Sequence, residues 1–418
     1  MTTRRSKRTA AAALLFLAAA VPSWAAVLVQ CPGDVDGDAI PDPIIPAGYP
    51  NAGQPNPEYR QDVGCKHLGA GDGFVHMGDG TLQYMFGFSD LTGIPEAEAL
   101  AAGRLASEWT GPTIVQEEGT EYYLTLTNVG MPMRPDLFDP HSVHYHGFPQ
   151  TANVFDGLPE SGMTINMGAS LTYYYQIVDP GTYLYHCHVE ATEHMQMGMI
   201  GNLYVTPRQN RLPSGTNLNG FIHKTGFKYA YNDGDGSTFY DVEVPIQLVG
   251  FDQNFHDQHI AVQPLPFADM RDTFFMINGR GYPDTVNPGP LLPPPPETGL
   301  PADHSVQPVS AAITATRGQR ILLRMSNVAV TTVNTVSVLG IPMRVVGKDA
   351  KLLRAADGTD LSYETTSVTM GGGETFDVIL DTAQVAAGTY FLYATNYQYL
   401  SNNKDDYGGM MTEIVVNN

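Results

Sequence analysis

Six of the chain's twelve histidines and one of its three cysteines lie in or just beyond two short runs. The first is His141-Ser142-Val143-His144-Tyr145-His146; the second is His186-Cys187-His188, followed by His194 and Met199. In an extended strand residues i and i+2 share a face, so His144 and His146 form one imidazole pair and His186 and His188 another. Cys187 then turns to the opposite face. If His141, Cys187, His194 and Met199 meet there, they make two imidazoles, a thiolate and a thioether, the donor set of a blue-copper electron-transfer site with a weak axial Met. The other four histidines suit a second, histidine-only copper cluster, with Cys187 linking the two centres covalently. Zinc also takes Cys and His, but it favours closed tetrahedral sites and has no use for a spacer leading to Met or for paired H-x-H strands.

This pattern resembles that of the multicopper oxidases, whose copper-bearing domains carry H-P-x-H-x-H-G and H-C-H-x-x-x-H-x-x-x-G-M. Residues 141 to 147 read HSVHYHG and residues 186 to 199 read HCHVEATEHMQMGM. The departures are Ser142 and two extra residues between His188 and His194. Family-like phrases extend further, in Gly111-Pro-Thr-Ile, Asp156-Gly-Leu-Pro, Gly181-Thr-Tyr-Leu-Tyr and Ile277-Asn-Gly-Arg-Gly-Tyr-Pro-Asp-Thr, so the resemblance covers residues 80 to 418. It implies type 1 copper at His141, Cys187, His194 and Met199. It also implies type 2 copper at His144 and a type 3 pair at His146, His186 and His188, which makes His144, His146, His186, Cys187 and His188 the catalytic set. The implied activity is laccase-like: a reductant gives single electrons near His194, and these pass through Cys187 to a cluster that reduces dioxygen to water. With Cys187 so committed, Cys31 and Cys65 are left to pair, which an oxidising compartment permits.

Composition bounds the setting. Lys and Arg number 22 against 43 Asp and Glu, a net charge of −21. Four of the basic residues (Arg4, Arg5, Lys7, Arg8) fall in an apparent signal peptide, residues 1–26, with an apolar run from Ala10 to Val21. Its removal leaves 18 basic against 43 acidic side chains, a net of −25. That balance argues against nucleic acid and anionic membranes as partners and is compatible with a cationic substrate, metal ions or a basic redox partner, or with simple solubility. The apolar run is too short to span a bilayer and no later segment could, so the chain is expected to be exported, to a periplasm or the extracellular space. In the acidic leader, residues 27–65, the carboxylates of Asp34, Asp36, Asp38 and Asp42 alternate around a Gly turn and resemble the calcium loops of thrombospondin-type repeats. Such hard oxygen ligands suit calcium; the other reading is an acidic, Pro-rich leader.

The elements that must position these side chains are strands. Tyr122, Leu124 and Leu126 alternate with Tyr123, Thr125 and Thr127, and dense Gly, Pro and Asn punctuation without a long amphipathic helix points to sandwiches. The expected fold is all-β, two cupredoxin-like Greek-key β-sandwich domains. The copper-binding domain spans residues 66–208, a linker 209–221 and a second domain 222–418, interrupted by a polyproline loop at 286–304. Met195, Met197 and Met199 also alternate, as adaptable packing against the copper site or as a soft-ligand path for cuprous ion.

The second domain lacks the copper motifs. Its histidines are His223, His256, His259 and His304, with no H-x-H among them, and His256 and His259 read as loop residues rather than ligands. The chain thus supplies a full type 1 set but half the histidines of a trinuclear cluster. Two copies meeting about a twofold axis, a different partner chain, or a reduced cluster of one or two coppers would each account for this. The alternatives to an oxidase are a non-enzymatic blue-copper carrier or copper-binding protein, and a nitrite-reductase-like enzyme. The reducing substrate stays open among phenols and cuprous, ferrous and manganous ions.

Overall fold

β-branched and aromatic residues in period-two runs, cut every few residues by Gly and Pro, can bury apolar surface only by stacking sheets. The computed structural model, which describes residues 27–149, 152–289, 291 and 294–418, does this twice. Residues 1–26, the expected signal peptide, lie outside the described residues. The first unit comprises β1 (Val63–His76), β2 (Leu82–Asp90), β3 (Ile114–Glu117), β4 (Glu121–Gly130), β5 (His144–Tyr145), β6 (Ser170–Gln176), β7 (Gly181–His186) and β8 (Ile200–Thr206). One sheet has the order β2-β1-β4-β6 and the other β3-β8-β7-β5, with β1·β4 and β3·β8 parallel. Leu68, Phe86, Tyr122, Leu124, Tyr173, Tyr175 and Tyr185 fill the space between them.

The second unit repeats the topology. Its first sheet runs Phe274–Ile277, Val242–Phe251, Arg320–Asn327, Thr375–Asp381, Met343–Lys348, and its second Ile313–Thr316, Met411–Asn417, Gly388–Ala394, Asn334–Val338, Ser367–Met370. The two parallel pairs recur in the same places.

Several boundaries differ from the sequence expectation. The division at 65/66 falls inside β1, because Cys65 already pairs with Tyr123 of β4. Cys31 and Cys65 form a disulfide that fastens the acidic leader to that strand. Residues 209–221 are not a free linker: Gln209 is buried and donates to Asp233 at 2.7 Å, and Asn217–Leu218 pairs with Phe221–Ile222. The second sandwich's first long strand begins only at Val242. The stretch 286–304 begins at the end of a 3-10 turn, Asp284–Val286, and contains another, Pro296–Thr298; the Arg280 guanidinium donates to the carbonyls of Asn287 inside it and Gln307 just beyond it. His256 and His259 lie on a helix, Gln253–Ile260, and are buried.

The two units share an apolar cluster of Val75, Met85, Trp109, Leu184 and Ile200 from the first with Val249, Phe251, Phe274 and Met276 from the second. Beside it, Arg324 is fully buried and paired with Glu243 and Asp377. Asp377 also accepts hydrogen bonds from Thr182 of β7 at 2.6 Å and Tyr231 at 2.5 Å. Removing Asp377 would leave the buried Arg324 guanidinium with Glu243 as its one remaining carboxylate and take the acceptor from the Thr182 and Tyr231 hydroxyls. Asp377→Ala is therefore expected to cost about 3–5 kcal/mol, measured by urea denaturation at neutral pH.

Candidate metal centre

The register of β5 on β7 assembles the centre. His144 pairs with His186 and Tyr145 with Tyr185, and the His146 N–H donates to the Leu184 carbonyl at 3.2 Å. Beyond β7 the chain stays extended: the Cys187 N–H donates to the Met199 carbonyl at 3.1 Å, and the His188 N–H to the Ser142 hydroxyl at 3.2 Å. Ser142, which departs from the family's proline, thus ties the first motif to the second. His141 is held by a two-way backbone bridge to Ile165, and the Val143 N–H donates to the Tyr173 hydroxyl.

On the core side, His141, Cys187 and His194 are fully buried, with their donor atoms within 4.8 Å of one another. Cys187 Sγ lies 3.2 Å from His194 Nδ1 and 3.9 Å from His141 Nδ1. The Nε2 atoms of both histidines are buried without a hydrogen-bond partner. Met199 is buried in the hydrophobic core that also holds Cys187, its N–H donating to the His194 carbonyl at 2.8 Å. Burial, followed by the neighbouring His194, holds the His141 pKa well below the ordinary imidazole value, so its ring is neutral. Burial opposes charge on His194 too, but the Cys187 sulfur and the Asp139 carboxylate outweigh it and raise its pKa to about 10. A compact set of two imidazoles and a thiol is a donor set that suits a soft or borderline metal.

The longer spacer after His188 is a helical turn. Glu190, at φ +46°, turns the chain into the helix Ala191–Met197, which carries His194. Gly198 ends that helix at φ +119°, and a Cβ there would sit 2.3 Å from the Trp109 ring. Met195 and Met197 are therefore helical, Met195 packing on the interface cluster and Met197 on the first core, and their alternation does not place them on one face.

On the other side, the donor nitrogens of His144, His146 and His186 lie within 4.8 Å of one another, and the His188 ring is 5.1 Å from that of His144 and 5.4 Å from that of His186. Each Nδ1 of the trio faces a backbone carbonyl: His144 that of Asp156 at 2.7 Å, His146 that of Gly373 at 3.2 Å, and His186 that of Cys187 at 2.8 Å. The Asp156 carboxylate adds a 3.2 Å contact to His144. A carbonyl can only accept, so Nδ1 carries the proton and Nε2 the lone pair. His146 Nε2 and His186 Nε2 then face each other at 3.0 Å, lone pair to lone pair. A bound cation relieves that repulsion. Burial lowers the pKa of His146 and takes that of His186 down to about 3, so both rings are neutral and available to a metal.

The remaining expectations divide. Asp34, Asp36 and Asp42 come within 4.8 Å of one another, whereas Asp38 accepts the Ile40 N–H at 2.8 Å and is outside that group. His256 places both ring nitrogens on carbonyls, of Tyr84 and Gln196, and His259 bridges Glu193 and Arg134. Residue spacing does not single out Asp139, whose carboxylate is 3.9 Å from His194 Nε2, or the main chain of Asp156 and Gly373. Asp156 was legible only as part of its Asp-Gly-Leu-Pro phrase, and Gly373 only as the end of a glycine run.

Two family profiles described as multicopper oxidase match residues 101–210 and 255–418. The chain belongs to the multicopper oxidase family. Family membership implies copper, and imidazole and thiolate donors are compatible with it. Among curated multicopper oxidases, Laccase abr2 of Aspergillus fumigatus is 30% identical over 133 residues, 31% of this chain and 21% of that protein. Multicopper oxidase MmcO of Mycobacterium tuberculosis is 38% identical over 79 residues, 19% of this chain and 14% of its own. The chain thus matches about a fifth or less of the length of these relatives. In fold it is similar to the blue copper oxidase of Nitrosomonas europaea, with a TM-score of 0.60 at 20% identity over 85% of this chain and 86% of the other. It is also similar to that organism's copper nitrite reductase, with a TM-score of 0.53 at 15% identity over 84% and 94%.

Gly198→Ala adds a methyl where the Trp109 ring already stands. The variant is expected to unfold at lower temperature, measured by circular dichroism, and, should the Cys187 set take up copper, to lose the blue absorbance in a cupric titration.

Proposed function

We propose that this chain is an exported copper oxidase that takes single electrons from a small reductant near His194 and passes them to dioxygen at a histidine cluster. The observation that carries the reading is the pairing of two donor sets on opposite faces of one strand end: a buried Cys-His set, and imidazoles whose Nε2 atoms meet at 3.0 Å. Here His141, Cys187, His194 and Met199 hold type 1 copper, and His144, His146, His186 and His188 hold type 2 and type 3 copper. When bound, copper supplies one-electron transfer at the first set and dioxygen reduction at the second.

The chain's own residues account for the rest. Cys187 is bonded directly to both His186 and His188, so the thiol and the cluster imidazoles share one continuous covalent path. The Asp156 and Gly373 carbonyls hold protons on Nδ1 and keep Nε2 free. Asp139, Glu190 and Glu193 surround the outer edge of His194 with carboxylates, which suits a cationic or proton-releasing electron donor.

With four cluster histidines per chain, a second copy about a twofold axis or a partner chain completes a trinuclear site. The half-buried His144, His146 and His188 support that reading, since they leave the face open to a partner. The disulfide and the leader sequence support export to an oxidising compartment. For calcium the support is narrower, the three carboxylates of Asp34, Asp36 and Asp42.

Copper-loaded protein without residues 1–26 is expected to consume dioxygen with a reductant. It is expected to hold about two and a half coppers per chain if two copies share a cluster, or about four if a partner chain completes one in each. Cys187→Ser is expected to abolish both the blue absorbance and turnover. A value near one copper with no turnover would leave an electron carrier, and nitrite consumption without oxygen consumption would replace the oxidase with a nitrite reductase.

A further inference from the structure

The loop Gly371-Gly372-Gly373-Glu374 carries no metal-binding imidazole or thiol, yet it reaches the histidine face from the second domain. The Gly373 carbonyl stands 3.2 Å from His146 Nδ1, 227 residues away in sequence. Gly373 has φ +89°, and a Cβ on it would lie 2.6 Å from His146 Cε1 and 2.7 Å from Nδ1. The carbonyl approaches the ring edge only because no side chain hangs from that Cα.

The loop is held from several sides. The Gly373 N–H donates to the Asn327 carbonyl at 2.8 Å, and the Asn327 N–H donates to the Glu374 carbonyl at 3.1 Å. The Glu374 carboxylate folds back to accept the Gly371 N–H at 2.6 Å and pairs with Lys348 at 2.7 Å. Two residues after Gly373, the Thr375 hydroxyl donates to the Thr182 carbonyl of β7 at 2.8 Å. One loop therefore grips both the ring of His146 and the strand that ends in His186.

We propose that Gly373 is a positioning residue for His146: its carbonyl accepts Nδ1–H, fixes the ring's tautomer and aims Nε2 at His186. A domain that supplies no histidine to the site thus completes it with main chain and with an absent side chain. The inference rests on the copper reading only for what Nε2 holds; the tautomer is a property of the chain without metal.

The test uses the full metal-free chain with 15N-labelled histidine, read by long-range proton–nitrogen correlation. His146 is expected as the Nδ1–H tautomer in the wild type and not in Gly373→Ala. Gly371→Ala is the control, because a Cβ there meets nothing closer than the flexible Glu374 carboxylate at 3.4 Å. In cupric titrations Gly373→Ala is expected to bind about 10–100-fold more weakly at the histidine face, with the Cys187 blue band unchanged. Gly371→Ala is expected to match the wild type in both readouts. Wild-type His146 carrying its proton on Nε2 would overturn the proposal, as would a folded Gly373→Ala with wild-type tautomer and affinity. If Gly373→Ala does not fold, the wild-type tautomer decides. An Nδ1–H tautomer in a wild type that binds no copper at this face would support the positioning role while removing the oxidase reading.

Discussion

Successive side chains of a strand point to opposite sides, and at the end of β7 that rule separates Cys187 from the histidines on either side of it. The thiol goes into the core with His141 and His194, and the imidazoles go to the face shared with β5. Everything else keeps this stretch in register. A slip of one residue would send the sulfur to the histidine face and an imidazole into the core. β7 is buried along its whole length and paired on both edges, by β5 and β8, so the register has no room to drift. The Met199 carbonyl and the Ser142 hydroxyl extend the same control past the last ladder pair.

The chain uses one topology twice and places ligands in only one copy. Gly181-Thr182-Tyr183 opens β7 and Gly388-Thr389-Tyr390 opens its counterpart. Aligned on those triplets, His186, Cys187 and His188 correspond to Tyr393, Ala394 and Thr395. Likewise β5, with His144, corresponds to Asn334–Val338, which has no histidine. The second sandwich instead contributes the far side of the Trp109 cluster, the buried Arg324–Asp377 pair and the loop carbonyl on His146. It holds the first sandwich in shape and contributes no metal-binding side chain to either set.

What could be read from the sequence follows from what a side chain reveals. The donor residues were legible because imidazole and thiol are rare and their spacing follows strand geometry, and the all-β fold because apolar alternation reports which face is buried. The spacer to His194 was not legible as a helix: Val-Glu-Ala-Thr-Glu is short and its start depends on Glu190 in a left-handed conformation. The methionine alternation has no facial meaning there, since a period of two means nothing on a helix, and Met195 and Met197 serve as packing, one of the two readings offered above. His256 and His259 looked like loop residues because the eight-residue helix carrying them has only a weak apolar face and buries three residues, Phe255, His256 and His259, with His256 against Tyr84 of the other domain. The carbonyls that orient His144 and His146 have no signature of their own, because any residue has a carbonyl; the Asp-Gly-Leu-Pro phrase and the glycine run are the traces around them.

All eight candidate copper ligands fall between His141 and Met199, whereas the carbonyl that orients His146 belongs to residue 373. Synthesis runs from the amino terminus at about 5–20 residues per second, so Gly373 is made on the order of ten seconds after Met199. The donor atoms therefore exist together on a nascent chain before the surface that aims one of them. In order of synthesis the ligands come first and the carbonyl that orients His146 comes last, and only the packing of the second sandwich on the first brings that carbonyl to the ring.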